Sequence, residues 1–283
     1  MTTSPSSSAL AARKALADRL GELRRDAELT GRELAVRAGW SVAKSSRIEN
    51  GVTAPSNDDI RAWCRACGAE EQASDLIAAK AASDSTYVEW RRKQRTGLRR
   101  LQQEAVPLFE RTRRFRVYCS NLIPGLLQTD AYATALLTSI TRFRGIPNDV
   151  TEAVAARMAR SQVIRRGDHR FAVLIEEEVL YFRIGDEDVM ARQLDYLLSV
   201  MVLPSVSLGI IPRTASRPMW PVETFMVYDD QVAAIELLSA EVTISTPSEI
   251  NVYVKAFSEL AGLAVYGASA RELIIRAITL LGD

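Results

Sequence analysis

"TGRELAVRAGWSVAKSSRIENGVTAPS", residues 30–56, is the stretch on which the reading of this chain turns. Thr30, followed three residues later by Glu33, makes a capping box, so a helix starts here and runs to Ala38, where Gly39 supplies a left-handed stop. Ser41 caps a second short helix, which Asn50-Gly51 ends. Lys44 and Arg47 sit three apart on that helix, beside Ser41, Ser45 and Ser46. A helix made only to pack has no use for such a face; a helix laid against a polyanion does. Helix, turn through Gly39-Trp40-Ser41, helix is the helix-turn-helix arrangement. Leu34, Ala35, Ala38, Trp40 and Ile48 fall where that arrangement buries residues, and small Ala35 lets the two helices cross closely.

In this motif the N-terminal part of the second helix enters the major groove. Val42, Ala43, Lys44 and Arg47 are therefore the expected base readers. Arg47 can pair bidentately with a guanine, Lys44 can reach the same acceptors, and Val42 and Ala43 can touch a thymine methyl. Asn50 and Thr53, with the backbone N–H groups of the turn between them, are expected on phosphates, and Thr30 and Ser41 with them. The expected partner is double-stranded DNA. One such helix covers only a few base pairs, which predicts a homodimer on a near-palindromic site.

Flanking segments complete an N-terminal domain over residues 14–82. Leu16, Leu20, Leu23 and Ala27 recur at helical spacing. "SNDDIRAWCRACG" is a further helix, with Ser56 as its cap and Asp58 and Asp59 where the helix dipole favours them. Glu70 to Ala82 adds a fifth. The opening "MTTSPSSSALAARK" reads as a disordered tail with no signal-peptide core. Residues 83–116 are an Arg-rich connector, helical up to Pro107; a solvated interdomain helix and one that also touches the DNA backbone both fit. From residue 117 to 283 helices alternate with strand patterns: "RFAVLIEEEVLYFRIG", "VSLGIIPR", and "VETFMVYDDQVAAIELL" around a tight Asp229-Asp230 turn. The fold class is an all-α helix-turn-helix domain followed by an α+β domain.

Bulk composition agrees. The chain has 283 residues, 47% hydrophobic and 25% charged, with a net charge of +1. That near-neutrality hides an asymmetry: residues 1–115 hold 21 Lys+Arg against 15 Asp+Glu, a balance of +6, and the remainder hold 15 against 20, a balance of −5. A nucleic-acid-facing half and a half facing something else are implied. Three cysteines form no disulfide framework and fit a reducing cytoplasm, and no apolar run is long enough to span a bilayer.

The elements "ELAVRAG", "RIENG" and "PS" at these offsets resemble the Xre/Cro-like helix-turn-helix family over residues 16–80. "RFRVYCSNLIPGLLQTDAYATALL", "MARSQVIRR" and the "VETFMVYDD" strand look like the C-terminal domain of actinobacterial Xre regulators, often called antitoxin-like. The resemblance implies a cytoplasmic transcription factor, commonly encoded beside a small partner protein and tied to development or antibiotic production. Three departures matter. Gly31-Arg32 stands where many relatives have Gln, so a side-chain phosphate contact there is either missing or moved to Arg32. Val42 replaces another Gln and removes an adenine reader. Ser45 stands where an apolar residue packs, which weakens the core slightly. The family's base preferences therefore do not transfer.

No enzyme is expected. Cys64-x-x-Cys67 has no second ligand pair for zinc and reads as small core residues. His169, the only histidine, lies in an exposed polar turn, and "GASA" lacks the second Gly of a nucleophile elbow. Glu176-Glu177-Glu178 reads as a charged strand edge. No metal or cofactor is expected. Leu126 and Leu127 of "IPGLLQT", with Trp220 and Phe225 of "RPMWPVETF", are the candidate surface for a small protein encoded nearby or a small-molecule effector; for the second segment a lid over the core fits equally. The function expected is a dimeric repressor controlled through its C-terminal domain. The alternative is an antitoxin-like module that sequesters a small partner, with DNA binding secondary.

Overall fold

The computed structural model describes residues 7–81 and 87–281, which fall into two compact units. The first holds the chain up to residue 81 together with 244–250, and the second holds 87–243 and 251–281.

The first unit is built from α1 (Ser7–Asp26), α2 (Gly31–Ala38), α3 (Val42–Glu49), α4 (Asn57–Cys67) and α5 (Ala73–Ala81). Residues 1–6 of the expected tail lie outside the described residues, but α1 already begins at Ser7. Local chemistry sets the ends. Thr30 and Glu33 close a capping box, Gly39 stops α2 at φ 73°, and Ser56 with Asp59 closes a second box ahead of α4. Leu16, Leu20, Leu23, Leu34, Ile48, Ile60, Trp63 and Leu76 form one core. Cys64 is buried in it as a free thiol, and burial pushes its pKa up to about 11, which suits a packing residue rather than a nucleophile.

The second unit adds β1 (Tyr87–Glu89), α6 (Trp90–Lys93), α7 (Arg99–Glu104), α8 (Val106–Arg111), β2 (Arg114–Cys119), α9 (Asp130–Arg144), α10 (Val150–Ser161), β3 (Arg170–Glu176), α11 (Glu187–Val200), β4 (Val206–Ile211), β5 (Phe225–Tyr228), β6 (Val232–Glu236), β7 (Ala240–Ile244) up to Thr243, α12 (Pro247–Ala261) from Asn251 onward, and α13 (Gly267–Thr279). The sheet order is β1-β7-β6-β5-β2-β3-β4. Strands β2, β3 and β4 run parallel, while β5 is antiparallel to β2 and β6. Among the parallel strands, β3 is an unbroken apolar run from Phe171 to Ile175, as a strand covered on both faces must be, whereas β2 carries Arg114 and Arg116 at its start. Asp229 (φ 49°) and Asp230 (φ 57°) make the expected β5–β6 turn. The Asp229 carboxylate also accepts from the backbone N–H of Arg113 (3.0 Å) and Arg114 (2.7 Å).

Four expectations change. Residues 87–116 are not a linker but part of the second unit, because their sparse apolar residues pack into its core rather than forming one of their own: Trp90, Leu98 and Phe109 are all buried. Asp149 binds this segment from α10's N-terminus, accepting from Leu98 N (2.8 Å) and Arg99 N (2.9 Å). That approach requires Gly97, where a Cβ would lie 2.3 Å from the Asp149 carboxylate. Pro107 starts α8 instead of ending a helix, a position that needs no N–H. The glutamate triplet is not an exposed strand edge: β3 ends at Glu176 and a 3-10 turn follows, so Glu176 and Glu177 are both buried. Glu176 accepts from Tyr118 OH (2.8 Å) and pairs with Arg217, and Glu177 accepts from Arg213 N (2.8 Å). His169 is half-buried against Phe115, with Nδ1 2.6 Å from the Thr112 carbonyl oxygen.

Candidate nucleic-acid interface

Helix α3 is held at both ends. At its N-terminus the Ser41 hydroxyl accepts from Lys44 N (3.3 Å), leaving its own hydrogen to donate outward. At its C-terminus Glu49 takes a forked contact from Arg24 on α1, Nε to Oε2 at 2.9 Å and Nη2 to Oε1 at 2.6 Å. A carboxylate in the last turn opposes the helix dipole, so Glu49 needs such a partner. The same hydrogen bonds hold the Arg24 pKa above its ordinary value. Arg24 also donates to Leu29 O (2.5 Å), tying the turn before α2 to the same point. Arg37 ties α2 to α4 by donating to Ala66 O (3.3 Å).

Ser45 is buried at 1% exposure and accepts the Trp40 indole N–H at 2.6 Å. The polar residue in an apolar position thus has a dedicated donor, and the expected loss in the core is offset by that bond.

The exposed row of α3 is Val42, Ala43, Ser46, Arg47 and Asn50. Four of these are residues expected to contact DNA; Ser46, placed on the same polar face by the sequence but given no contact there, joins them, as its spacing from Val42 and Asn50 requires. Arg47 lies along its own helix, Nε to Ala43 O at 3.3 Å. Lys44 differs from expectation. It is half-buried, ion-paired with Asp59 of α4 at 2.5 Å, and stacked over Trp40 at 4.6 Å. To read a base it would first have to leave that carboxylate. Burial raises the Asp59 pKa, but hydrogen bonds from Lys44 and Ser56 outweigh this and the net value is below the usual one.

The phosphate set also divides. Arg32 and Thr53 are exposed. The Thr30 hydroxyl is engaged in the capping box, donating to Glu33 Oε2 at 2.7 Å. Asn50 donates back to Ser46 O at 2.8 Å. The backbone N–H groups expected to meet phosphates are taken by α3's own carbonyls: Gly51 N bonds to Ile48 O (3.0 Å), Val52 N to Arg47 O (2.9 Å) and Thr53 N to Arg47 O (3.1 Å). Phosphate contact there falls to side chains.

The partner surface expected in the second unit does not form as drawn. Leu126, Leu127 and Phe225 are buried at 3%, 0% and 0%, because the apolar turn and strand face inward to the core; Trp220 alone is exposed, at 71%. Among the described residues no acid, His and Cys cluster is placed to hold a metal, and no helix is long and apolar enough to cross a membrane.

Residues 15–76 match the family described as a helix-turn-helix domain, and residues 102–276, more than half of the chain, match the family described as a domain of unknown function (DUF5753). No curated protein matches the chain. Among solved structures, that of TrmBL2, described as an archaeal chromatin protein with a novel mode of DNA binding, aligns over 89% of this chain and 100% of its own at 10% identity with a TM-score of 0.31. A likeness that weak carries no argument for this chain.

Proposed function

Since the chain belongs to the DUF5753 family and carries a helix-turn-helix domain ahead of that part, we propose that it is a sequence-specific regulator of transcription that binds double-stranded DNA through α3. It acts as an Xre-type homodimeric repressor in the cytoplasm, controlled through its second unit by a small-molecule effector or a small protein encoded nearby, and it performs no catalysis. The observation that carries this reading is the pairing of a rigidly held α3 with an exposed row ending in Arg47: Arg24–Glu49 at one end and Ser41 at the other leave that row uncovered. Arg47 is the charged base reader in this reading, because Lys44 is already paired. Selection of binding sites from random DNA tests it. Arg47→Ala should cost roughly 1–3 kcal/mol of specific binding and relax one base position; unchanged base preferences would overturn the assignment. Two copies on one site should sit on half-sites about 34–36 Å apart or a multiple of that. Light scattering that finds a monomer both free and on selected DNA removes the dimer.

A further inference from the structure

The second unit contains a cleft of about 360 Å³ between the sheet and helices α7 to α10, within the usual size of a small-molecule site. Residues alternate faces along a strand, so Val232, Ala234 and Glu236 of β6 share the cleft face with Met226 and Tyr228 of β5. Opposite them, α9 and α10 contribute Arg144, Arg157 and Arg160.

The charges in this cleft do not balance. Glu241 is taken by Lys93, and Glu104 by Arg100 at 2.7 Å. That leaves Glu236 facing three guanidinium groups. Among the described residues, none of the three arginines has a carboxylate at ion-pair distance. Arg144 lies over the Trp90 ring at 4.9 Å and donates to Leu238 O at 3.4 Å. Arg157 binds only neutral oxygens, Gln102 Oε1 at 3.2 Å and Gln128 Oε1 at 2.5 Å. Arg160 lies over the Phe109 ring at 4.6 Å, and its buried Nε has no hydrogen-bond partner. Gln94, which also lines the cleft, has a buried side-chain oxygen without a partner. A buried polar group left unpaired is rare in folded proteins and calls for a reason.

Geometry brings two of the cations to one place. A point where Gly125 would carry a Cβ is 3.8 Å from both Arg157 Nη1 and Arg160 Nη2. Burial pushes Arg157 down to about 10 and also lowers Arg160, while it raises Glu236. Yet Glu236 keeps exposed surface. A side chain enclosed by protein that still has accessible area lines a concavity, so these charges face a space a ligand can enter.

We infer that this cleft binds a small organic oxyanion with an apolar body. The anionic head sits beside Gly125 between Arg157 and Arg160, which can each donate to it in a charge-assisted bond. The body lies along Phe109, Leu136, Ile140 and Met226, and a hydroxyl or amide N–H on it meets the Gln94 oxygen. As the effector site of the proposed regulator, the cleft rests on that reading; as a ligand site, it does not.

The test uses the full-length protein with 8-anilinonaphthalene-1-sulfonate as a fluorescent reporter, displaced by decanoate, decanol or inorganic phosphate. Decanoate should displace it at least tenfold more effectively than decanol, and phosphate should not displace it at millimolar concentration. Arg160→Met, with folding checked by circular dichroism, should lose the preference for decanoate. Glu236→Gln, which removes the one opposing carboxylate, should tighten decanoate several-fold and decides the matter if Arg160→Met does not fold. Equal displacement by decanol, displacement by phosphate alone, no displacement by decanoate, or no change in Glu236→Gln would each overturn the inference. None of these readouts involves DNA, so their failure leaves DNA binding standing, and a failure to select a DNA site leaves the cleft standing.

Discussion

Arg24→Met isolates the clamp on which the presentation of α3 depends. Arg24 makes three contacts with Glu49, at 3.2, 2.9 and 2.6 Å, and their side chains are only 18% and 21% exposed. Methionine keeps most of the stem and removes the fork. It strands a partly buried carboxylate at the end of a helix whose dipole opposes it. Breaking a fully buried pair costs about 3–5 kcal/mol; with about a fifth of each side chain in water, that is discounted to roughly 2–3 kcal/mol. At about 1.4 kcal/mol per factor of ten, the amides of residues 45–53 should exchange roughly 30- to 150-fold faster. Hydrogen exchange with mass spectrometry on the full-length protein reads this peptide apart from the second unit. The double variant Arg24→Met with Glu49→Gln removes the stranded charge and should recover part of the loss. A change below threefold in the single variant, or a double variant less protected than the single, would refute the reasoning.

Ser45→Ala leaves the Trp40 indole N–H without its acceptor at 2.6 Å. The loss should be about 1–2 kcal/mol, reduced by roughly 0.5 kcal/mol for alanine's better helix propensity, and the same exchange measurement checks it. Asp59, whose folded pKa is depressed, gives a pH signature. Its contribution is fully present above the unfolded value near about 3.9 and is lost as pH falls through the lower folded value. The resistance of the first unit to urea should therefore fall on acidification below about pH 4, with a smaller slope in Asp59→Asn; an identical slope removes the Lys44–Asp59 clamp as its source.

What the sequence determined by itself was local. The ends of α2, α3 and α4 were legible because they rest on hydrogen bonds spanning three or four residues, such as Glu33 N to Thr30 Oγ1 and Asp59 N to Ser56 Oγ, and on glycine at a positive φ. The Asp229-Asp230 turn was legible for the same reason. The face of α3 followed from helical periodicity, which is why Val42, Ala43 and Arg47 are exposed as expected. Only the tertiary structure decided partners. Arg24 meets Glu49 across 25 residues, Lys44 meets Asp59 across 15, and Leu98 meets Asp149 across 51. Nothing in the local pattern of a lysine or glutamate says which distant charge will neutralise it. The same limit misplaced Leu126, Leu127 and Phe225: a short turn or strand end has no complete period to mark its inner face, so burial there is set by what folds over it. The arginines of the cleft show it most clearly. In sequence Arg157 and Arg160 are cations like others on a helix, and only the sheet packed opposite makes them a half-buried pair that faces Glu236 with no carboxylate at ion-pair distance among the described residues, because charge balance is a property of a volume and not of a segment.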